Sequence, residues 1–224
     1  MIPIVICSFQ TPSLEILQES IRVYSPDTPI HIHTATQGSF GADMNMALDF
    51  VFSMYDEVII SNDDVVITPN SIPKLLEDVQ KLKTRVPVNE LGFVQSLVDN
   101  GRYVQNIRFK FFVDEKPANC RWPSEDLIKC VPVVAPIFAY MSKVAFEAAR
   151  FPPLNWYSDD VICEDLVRLG FKHFVSTSYV HHVGSDTIGV DYEKLSKEAM
   201  KWVIENRPEY IEEFNKRMNL PENI

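Results

Sequence analysis

The chain has 224 residues, 46% of them hydrophobic, and its 31 acidic and 21 basic side chains leave a formal net charge of −10. One domain of this size can bury a substantial core; the hydrophobic fraction excludes disorder, and 7 Gly with 15 Pro exclude a collagen-like or coiled-coil chain. The acidic balance also disfavours indiscriminate nucleic-acid binding, which needs clustered Lys and Arg, and leaves room only for a local basic groove.

Cys7, Cys120, Cys130 and Cys163 are widely separated and form no CxxC pair, so neither a zinc knuckle nor a disulfide framework is indicated and a reducing, cytoplasmic setting is the simplest expectation. The first residues, Met1 to Phe9, lack a basic leader and read directly as a strand. Val131 to Met141, the most apolar later run, is too short to span a bilayer and carries Pro132 and Pro136, so no transmembrane segment is expected.

In chain order, Ile2 to Cys7 is a continuous apolar run, as for a strand buried on both faces, and the amphipathic stretch Leu14 to Tyr24 completes a βα unit. Ile30 to Thr34 predicts a second strand. After the Gly38 to Gly41 turn, Ala42 to Met54 has helical apolar spacing at Met46, Phe50 and Met54. A third strand, Glu57 to Ile60, runs into the acidic turn Asn62-Asp63-Asp64, a helix is expected from Ser71 to Leu82, and a strand at Leu91 to Leu97.

The middle of the chain, Tyr103 to Val113 and Val131 to Met141, suggests antiparallel or edge strands, so the sheet becomes mixed. A short helix from Lys143 to Arg150 ends at Pro152-Pro153. Ser158 is a candidate N-cap for a helix reaching Gly170, a short strand ends near Val175, and Asp191 to Glu205 and Glu209 to Arg217 read as closing helices. Strands alternating with helices predict an α/β, Rossmann-like, mostly parallel sheet flanked by helices, in one domain.

In open α/β sheets ligands bind beyond the carboxyl ends of the strands, which directs attention to residues that follow strands. Ser8-Phe9-Gln10-Thr11 offers hydroxyls, an amide and free backbone groups for a polar ligand, or forms an ordinary βα turn. The adjacent carboxylates of Asp63 and Asp64 repel unless solvated, hydrogen-bonded or neutralised; a hard divalent cation does this with oxygen ligands, and an Asx turn is the structural alternative. In the segment Tyr179 to Thr187, the imidazoles of His181 and His182 suit Mn²⁺ and related ions, but neighbours on a strand point to opposite sides, so one of them at most faces the crevice. Asp159 and Asp160 complement a helix N-terminus, while Asp160 and Glu164 share a helix face with like charge, a small cost that hints at use as a general base.

In order, these segments resemble the GT-A fold glycosyltransferases, and most closely the inverting enzymes of glycosyltransferase family 2. Ile4 to Pro12 looks like the first strand and nucleotide-binding loop, and Gly38 to Leu48 is similar to the glycine-rich segment of the donor-side helix. Asn62-Asp63-Asp64-Val65 looks like the DxD motif, Asp159-Asp160 with Arg168 to Phe171 like the acidic catalytic motif, and His182 to Ser185 with Thr187 like the late metal-binding histidine segment. Asn62 departs from the pattern by replacing the first DxD carboxylate.

The resemblance implies a single GT-A domain over residues 1–224: a donor-nucleotide half (1–98), an acceptor and catalytic half (99–190) and C-terminal helices (191–224). It implies a nucleotide-sugar donor, with a UDP-sugar preferred, held by Ser8, Phe9, Gln10, Thr11, Asp43, Asn45, Asn62 and Asp63. Asp64 and His182 would hold Mn²⁺ or Mg²⁺, and Asp160, with Asp159 as the alternative, would be the base of an inverting transfer. Implied acceptors are a glycan, a lipid-linked sugar or a hydroxymethylated DNA base, the last as in the compact bacteriophage enzymes. The cation–aromatic run Arg102-Tyr103 to Arg108-Phe109-Lys110-Phe111-Phe112 could serve the DNA case or be an amphipathic core strand. A metal-dependent phosphoesterase or nucleotidyltransferase is the rival class, because it too gathers Asp and His around a cation.

Overall fold

The computed structural model describes residues 1–113, 116–121, 127–184 and 192–212. Ser185, Asp186, Thr187, the side chains of Tyr103 and of Arg108 to Phe112, and the helix expected beyond Glu212 lie outside the described residues.

The N-terminal half alternates as expected: β1 (Ile4–Ser8), α1 (Ser13–Tyr24), β2 (Ile30–Thr34), α2 (Phe40–Phe52), β3 (Glu57–Ser61), a short β4 (Val65–Ile67), α3 (Ser71–Lys83) and β5 (Leu91–Leu97). The rest comprises β6 (Arg108–Val113), β7 (Lys116–Arg121), β8 (Lys129–Val131), β9 (Phe138–Ser142), α4 (Lys143–Ala148), α5 (Ser158–Arg168), β10 (Lys172–His182) and α6 (Tyr192–Asn206). An eight-stranded sheet has the order β2-β1-β3-β9-β5-β10-β4 with β8 beside β10, while β6 and β7 pair separately. The β1–β2, β1–β3 and β5–β10 pairs are parallel, and β9 runs antiparallel to both β3 and β5.

Alternation along the buried strands feeds two cores. Val5, Cys7, Val58 and Ile60 point to one face, where Met44, Leu48, Phe146 and Ile162 pack; Ile4, Ile6 and Ile59 point to the other, under Leu17, Ile21, Leu75 and Val79. The sheet is thus covered by helices on both sides. No helix among the described residues is long and apolar enough to cross a membrane.

Several local expectations need correcting. Met46, Phe50 and Met54, whose spacing predicts a helix, are exposed, and Met54 lies beyond its end; α2 is apolar nearly all round and buries Met44, Ala47, Leu48 and Val51. Ser158 is not an N-cap but the first residue of α5; the cap position is Tyr157, held left-handed at φ 60°, and Ser158 Oγ donates to the Pro152 carbonyl at 3.0 Å. The strand expected to end near Val175 runs on to His182. Its central Ser-Thr-Ser run is polar yet buried, because Asp78 on α3 accepts from Ser176 Oγ at 2.8 Å and from Thr177 N at 2.9 Å.

Candidate active site

Because β1, β2, β3, β5 and β10 run the same way, their carboxyl ends share one edge of the sheet. β4 runs against β10, so its amino end lies there too. This topology gathers Ser8, Asn62 to Asp64, Val98 to Arg102 and the two neighbouring histidines at one rim.

The β4–β10 ladder brings Asp64 to His182. Val65 pairs with His182, and Val183 N donates to the Asp64 carbonyl at 3.0 Å. Asp64 Oδ1 stands 3.2 Å from His182 Nε2, and that oxygen is buried with no hydrogen-bond partner. His182 Nδ1 meets the Asn100 carbonyl in a short contact, which places a proton on Nδ1, so that in the neutral ring the Nε2 lone pair faces the carboxylate and in the charged ring Nε2–H donates to it. Two electron-rich atoms held this way call for a positive charge between them. Their separation suits neighbouring ligands of one octahedral ion, whose bonds of about 2.1 Å place adjacent donors about 3 Å apart. Burial draws the His182 pKa down, but Asp64, Asn100 and Asp99 outweigh it and the net shift is upward. The residues present therefore fit a divalent cation, with His182 and not His181 on the crevice side. Among the described residues no group of three or more His, Cys, Asp or Glu side chains is placed to hold a metal.

Next to this pair, Ser8 Oγ donates to Asp63 Oδ2 at 2.9 Å, Phe9 N donates to the same oxygen at 3.1 Å, and Gln10 N donates to Ser8 Oγ at 2.8 Å. Gln10 sits at φ 59°, a left-handed conformation uncommon outside glycine, so the turn after β1 is held shut by Asp63 against its own preference. Phe9 is left exposed at the turn, and Thr11 Oγ1 is buried without a partner. Asp63 thus closes the loop with one oxygen. Asn62, half-buried, takes the Ile137 carbonyl with its backbone N–H at 2.9 Å.

Asp43, fully buried in the first turn of α2, accepts from Thr36 N at 2.6 Å and Gln37 N at 3.0 Å and meets His33 Nε2 at 3.1 Å. The Asn45 side chain is committed to the main chain of Phe151, donating to its carbonyl at 2.8 Å and accepting its N–H at 3.1 Å. Both residues brace the walls of the crevice. Gly41 is needed where α2 meets the loop before α5: a Cβ there would stand 1.8 Å from the Pro152 carbonyl oxygen. Cys7, beneath the turn, is pushed up to about 12 by burial and then by Asp43 and Asp63, so it is a thiol and no nucleophile.

Asp160 is 3% exposed, in the first turn of α5. Arg102 Nη2 donates to Asp160 Oδ2 at 2.5 Å and to Asp159 Oδ2 at 2.8 Å. Burial opposes the charge on Arg102, yet Asp159 and Asp160 outweigh it and raise its pKa, so the guanidinium stays protonated. The like charges of Asp160 and Glu164 are each compensated, the latter by Arg168 Nε at 3.1 Å, so their spacing alone carries no hint of function.

Two contributors lie outside the expected site residues. Asp99, 8% exposed, accepts His181 Nδ1 through Oδ2 at 2.6 Å and His182 N through Oδ1 at 3.0 Å. Burial works to raise its pKa, but the His182 N–H and His181 outweigh it and hold the carboxyl below its ordinary value. Arg102 is the other. Both follow β5, and the same rule that singled out the ends of β1 and β3 points to them.

No family model matches the chain, and no curated protein matches it. Solved structures do. The protein A197 from STIV superposes with a TM-score of 0.53 at 14% identity, over 83% of this chain and 87% of that one. GalNAc-T7, crystallised with UDP, GalNAc and Mn²⁺, superposes with a TM-score of 0.51 at 10% identity, over 80% of this chain and 37% of the other. At these identities the likeness is one of fold: the mixed, helix-flanked sheet of this chain is GT-A-like.

Proposed function

We propose that the chain is a metal-dependent glycosyltransferase that moves a sugar from a nucleoside-diphosphate donor, preferentially a UDP-sugar, to an acceptor hydroxyl with inversion. The observation that supports it most is the buried Asp64 Oδ1, unpartnered and facing His182 Nε2 at 3.2 Å, beside the loop that Asp63 closes on Ser8 and Phe9. That GalNAc-T7, a protein of the same fold, was crystallised with UDP and Mn²⁺ favours the same donor chemistry here.

On this reading Asp64 and His182 hold Mn²⁺ or Mg²⁺. Bound there, the cation offsets the negative charge that develops on a diphosphate leaving group. The Ser8 to Thr11 turn presents backbone groups and the Thr11 hydroxyl to the nucleotide, Phe9 offers an exposed ring against it, and Asp43, Asn45, Asn62 and Asp63 keep the surrounding walls in place. Asp160, with Asp159 beside it, accepts the proton of the acceptor hydroxyl as that oxygen attacks the anomeric carbon opposite the leaving group.

The test is thermal unfolding with UDP and Mn²⁺ together. At a hundredfold excess over Kd, linkage adds about 2.7 kcal/mol, which for a chain of this size is roughly 2–4 °C per kcal/mol. Asp64→Ala should abolish the gain. A flat response to UDP, GDP and their sugars with Mn²⁺ refutes the donor assignment, and release of phosphate or pyrophosphate without any sugar donor would instead mark a phosphoesterase or nucleotidyltransferase. Asp160→Asn should lower turnover of a sugar donor about 10²–10⁴-fold without loss of UDP binding.

A further inference from the structure

His182 does not reach the crevice by strand geometry alone. It is the last residue of β10, where a strand end would fray, and the chain leaves it through Gly184 at φ 81°. Four hydrogen bonds from the turn after β5 hold this strand end. Asp99 Oδ1 accepts the His182 N–H at 3.0 Å while Oδ2 accepts Nδ1 of His181 at 2.6 Å, so one buried carboxylate grips both histidines from the side away from Asp64. The Asn100 carbonyl takes His182 Nδ1. The Asn100 amide donates to the Val183 carbonyl at 3.3 Å, and it lies so close to Gly184 that a Cβ there would stand 1.9 Å from Asn100 Nδ2. His181 therefore has a use of its own: paired to Asp99, it stops the strand end from rotating, which would exchange the two imidazoles.

We propose that Asp99 and Asn100 are positioning residues for the cation site, Asp99 by locking the rotation of the His181-His182 strand end and Asn100 by the tie of its side chain to the Val183 carbonyl, which keeps its own carbonyl on His182 Nδ1 and the Nε2 edge turned toward Asp64. This rests on the assignment of Asp64 and His182 as the ligand pair and extends it to residues that touch neither the cation nor a substrate. Outer partners that orient a ligand imidazole are worth about 10–100-fold in metal affinity.

The experiment is Mn²⁺ titration followed by electron paramagnetic resonance, with UDP present, on the full chain and its Asp99→Asn, Asn100→Ala and Asp64→Ala variants, together with the ¹⁴N hyperfine coupling of bound Mn²⁺. Asp99→Asn should bind Mn²⁺ about 10–100-fold more weakly and lose or alter the imidazole coupling, at unchanged far-ultraviolet circular dichroism. Binding within twofold of wild type and an unaltered coupling overturn the proposal. Should Asp99→Asn fail to fold, the exposed Asn100→Ala decides: a severalfold weakening supports the positioning role, and wild-type affinity refutes it. Asp64→Ala reports separately on the ligand pair: if it binds Mn²⁺ as wild type does, the cation assignment fails, whereas loss of binding in Asp64→Ala with none in Asp99→Asn or Asn100→Ala leaves the cation site standing and sinks only the positioning role.

Discussion

His173 supports a stability prediction that can be worked through from its contacts. It is fully buried at the start of β10, its Nδ1 accepts Phe93 N at 3.0 Å, and its Nε2 meets the Cys163 carbonyl at 3.1 Å while the ring stacks on Phe93. An Nδ1 that accepts a backbone N–H cannot also carry a proton, so the folded ring is neutral. Burial lowers its pKa from 6.5 to about 4, only partly opposed by the Cys163 carbonyl. Since the folded-state value lies below the unfolded one, the unfolded chain binds the extra proton first. The contribution is complete above about pH 6.5, falls as pH drops toward 4, and is flat below. At 1.36 kcal/mol per unit over that interval, the loss is about 3 kcal/mol. Urea unfolding of wild type and His173→Gln between pH 7 and pH 4 isolates it, because glutamine keeps a donor and an acceptor but does not titrate. Wild-type stability should fall about 3 kcal/mol further than that of the variant across this range. Parallel curves, or a His173 resonance titrating near 6.5, refute the reasoning.

Other substitutions test the walls of the crevice. Gly41→Ala drives a methyl into the Pro152 carbonyl and toward Ser158 Oγ, and should destabilise by about 1–3 kcal/mol in the urea midpoint. Asn45→Ala orphans the N–H and carbonyl of the buried Phe151 and should lower stability by about 1–3 kcal/mol at unchanged m-value. Arg102→Met and Asp160→Asn, which remove opposite sides of one ion pair, should be non-additive by more than about 0.5 kcal/mol in a double-mutant cycle, and additive losses would show that the pair is not coupled.

The N-terminal half of the fold was legible in the sequence because buried parallel strands are continuous apolar runs and their helices are amphipathic; β1 to β3 and α3 fall within about two residues of expectation, while the three-residue β4 was not foreseen. The middle was less so. Val131 to Met141 looks like one apolar unit but divides into the end of β8, a Pro-containing connection and the start of β9. β10 was cut short for the opposite reason: Ser176, Thr177 and Ser178 read as a break, and what keeps them in a strand is Asp78, distant in sequence and invisible to any local pattern. The helical period of α2 was legible but its buried side was not, since a helix apolar on both faces gives periodicity no preferred direction.

The same division between local pattern and long-range contact runs through the candidate site. Asp64 and His182 stood out because carboxylates and imidazoles at strand ends are conspicuous, and the alternation of a strand foretold that His181 and His182 would part company. Nothing local indicated which of the two would face inward. That choice is made by β4, three residues long, whose antiparallel register sets Val65 opposite His182 and so places the preceding carboxylate against that imidazole. A slip of one residue in this ladder would set Val65 opposite His181 in place of His182. The register is protected because Val65 and Ile67 are buried in one core while Val66 lies toward the surface, so slippage would exchange apolar for partly solvated positions. The identity of the inward histidine is therefore decided from both sides of β10, by hydrophobic burial that sets the β4 register and by the Asp99 carboxylate beyond β5, neither of which any motif at the histidines themselves contains.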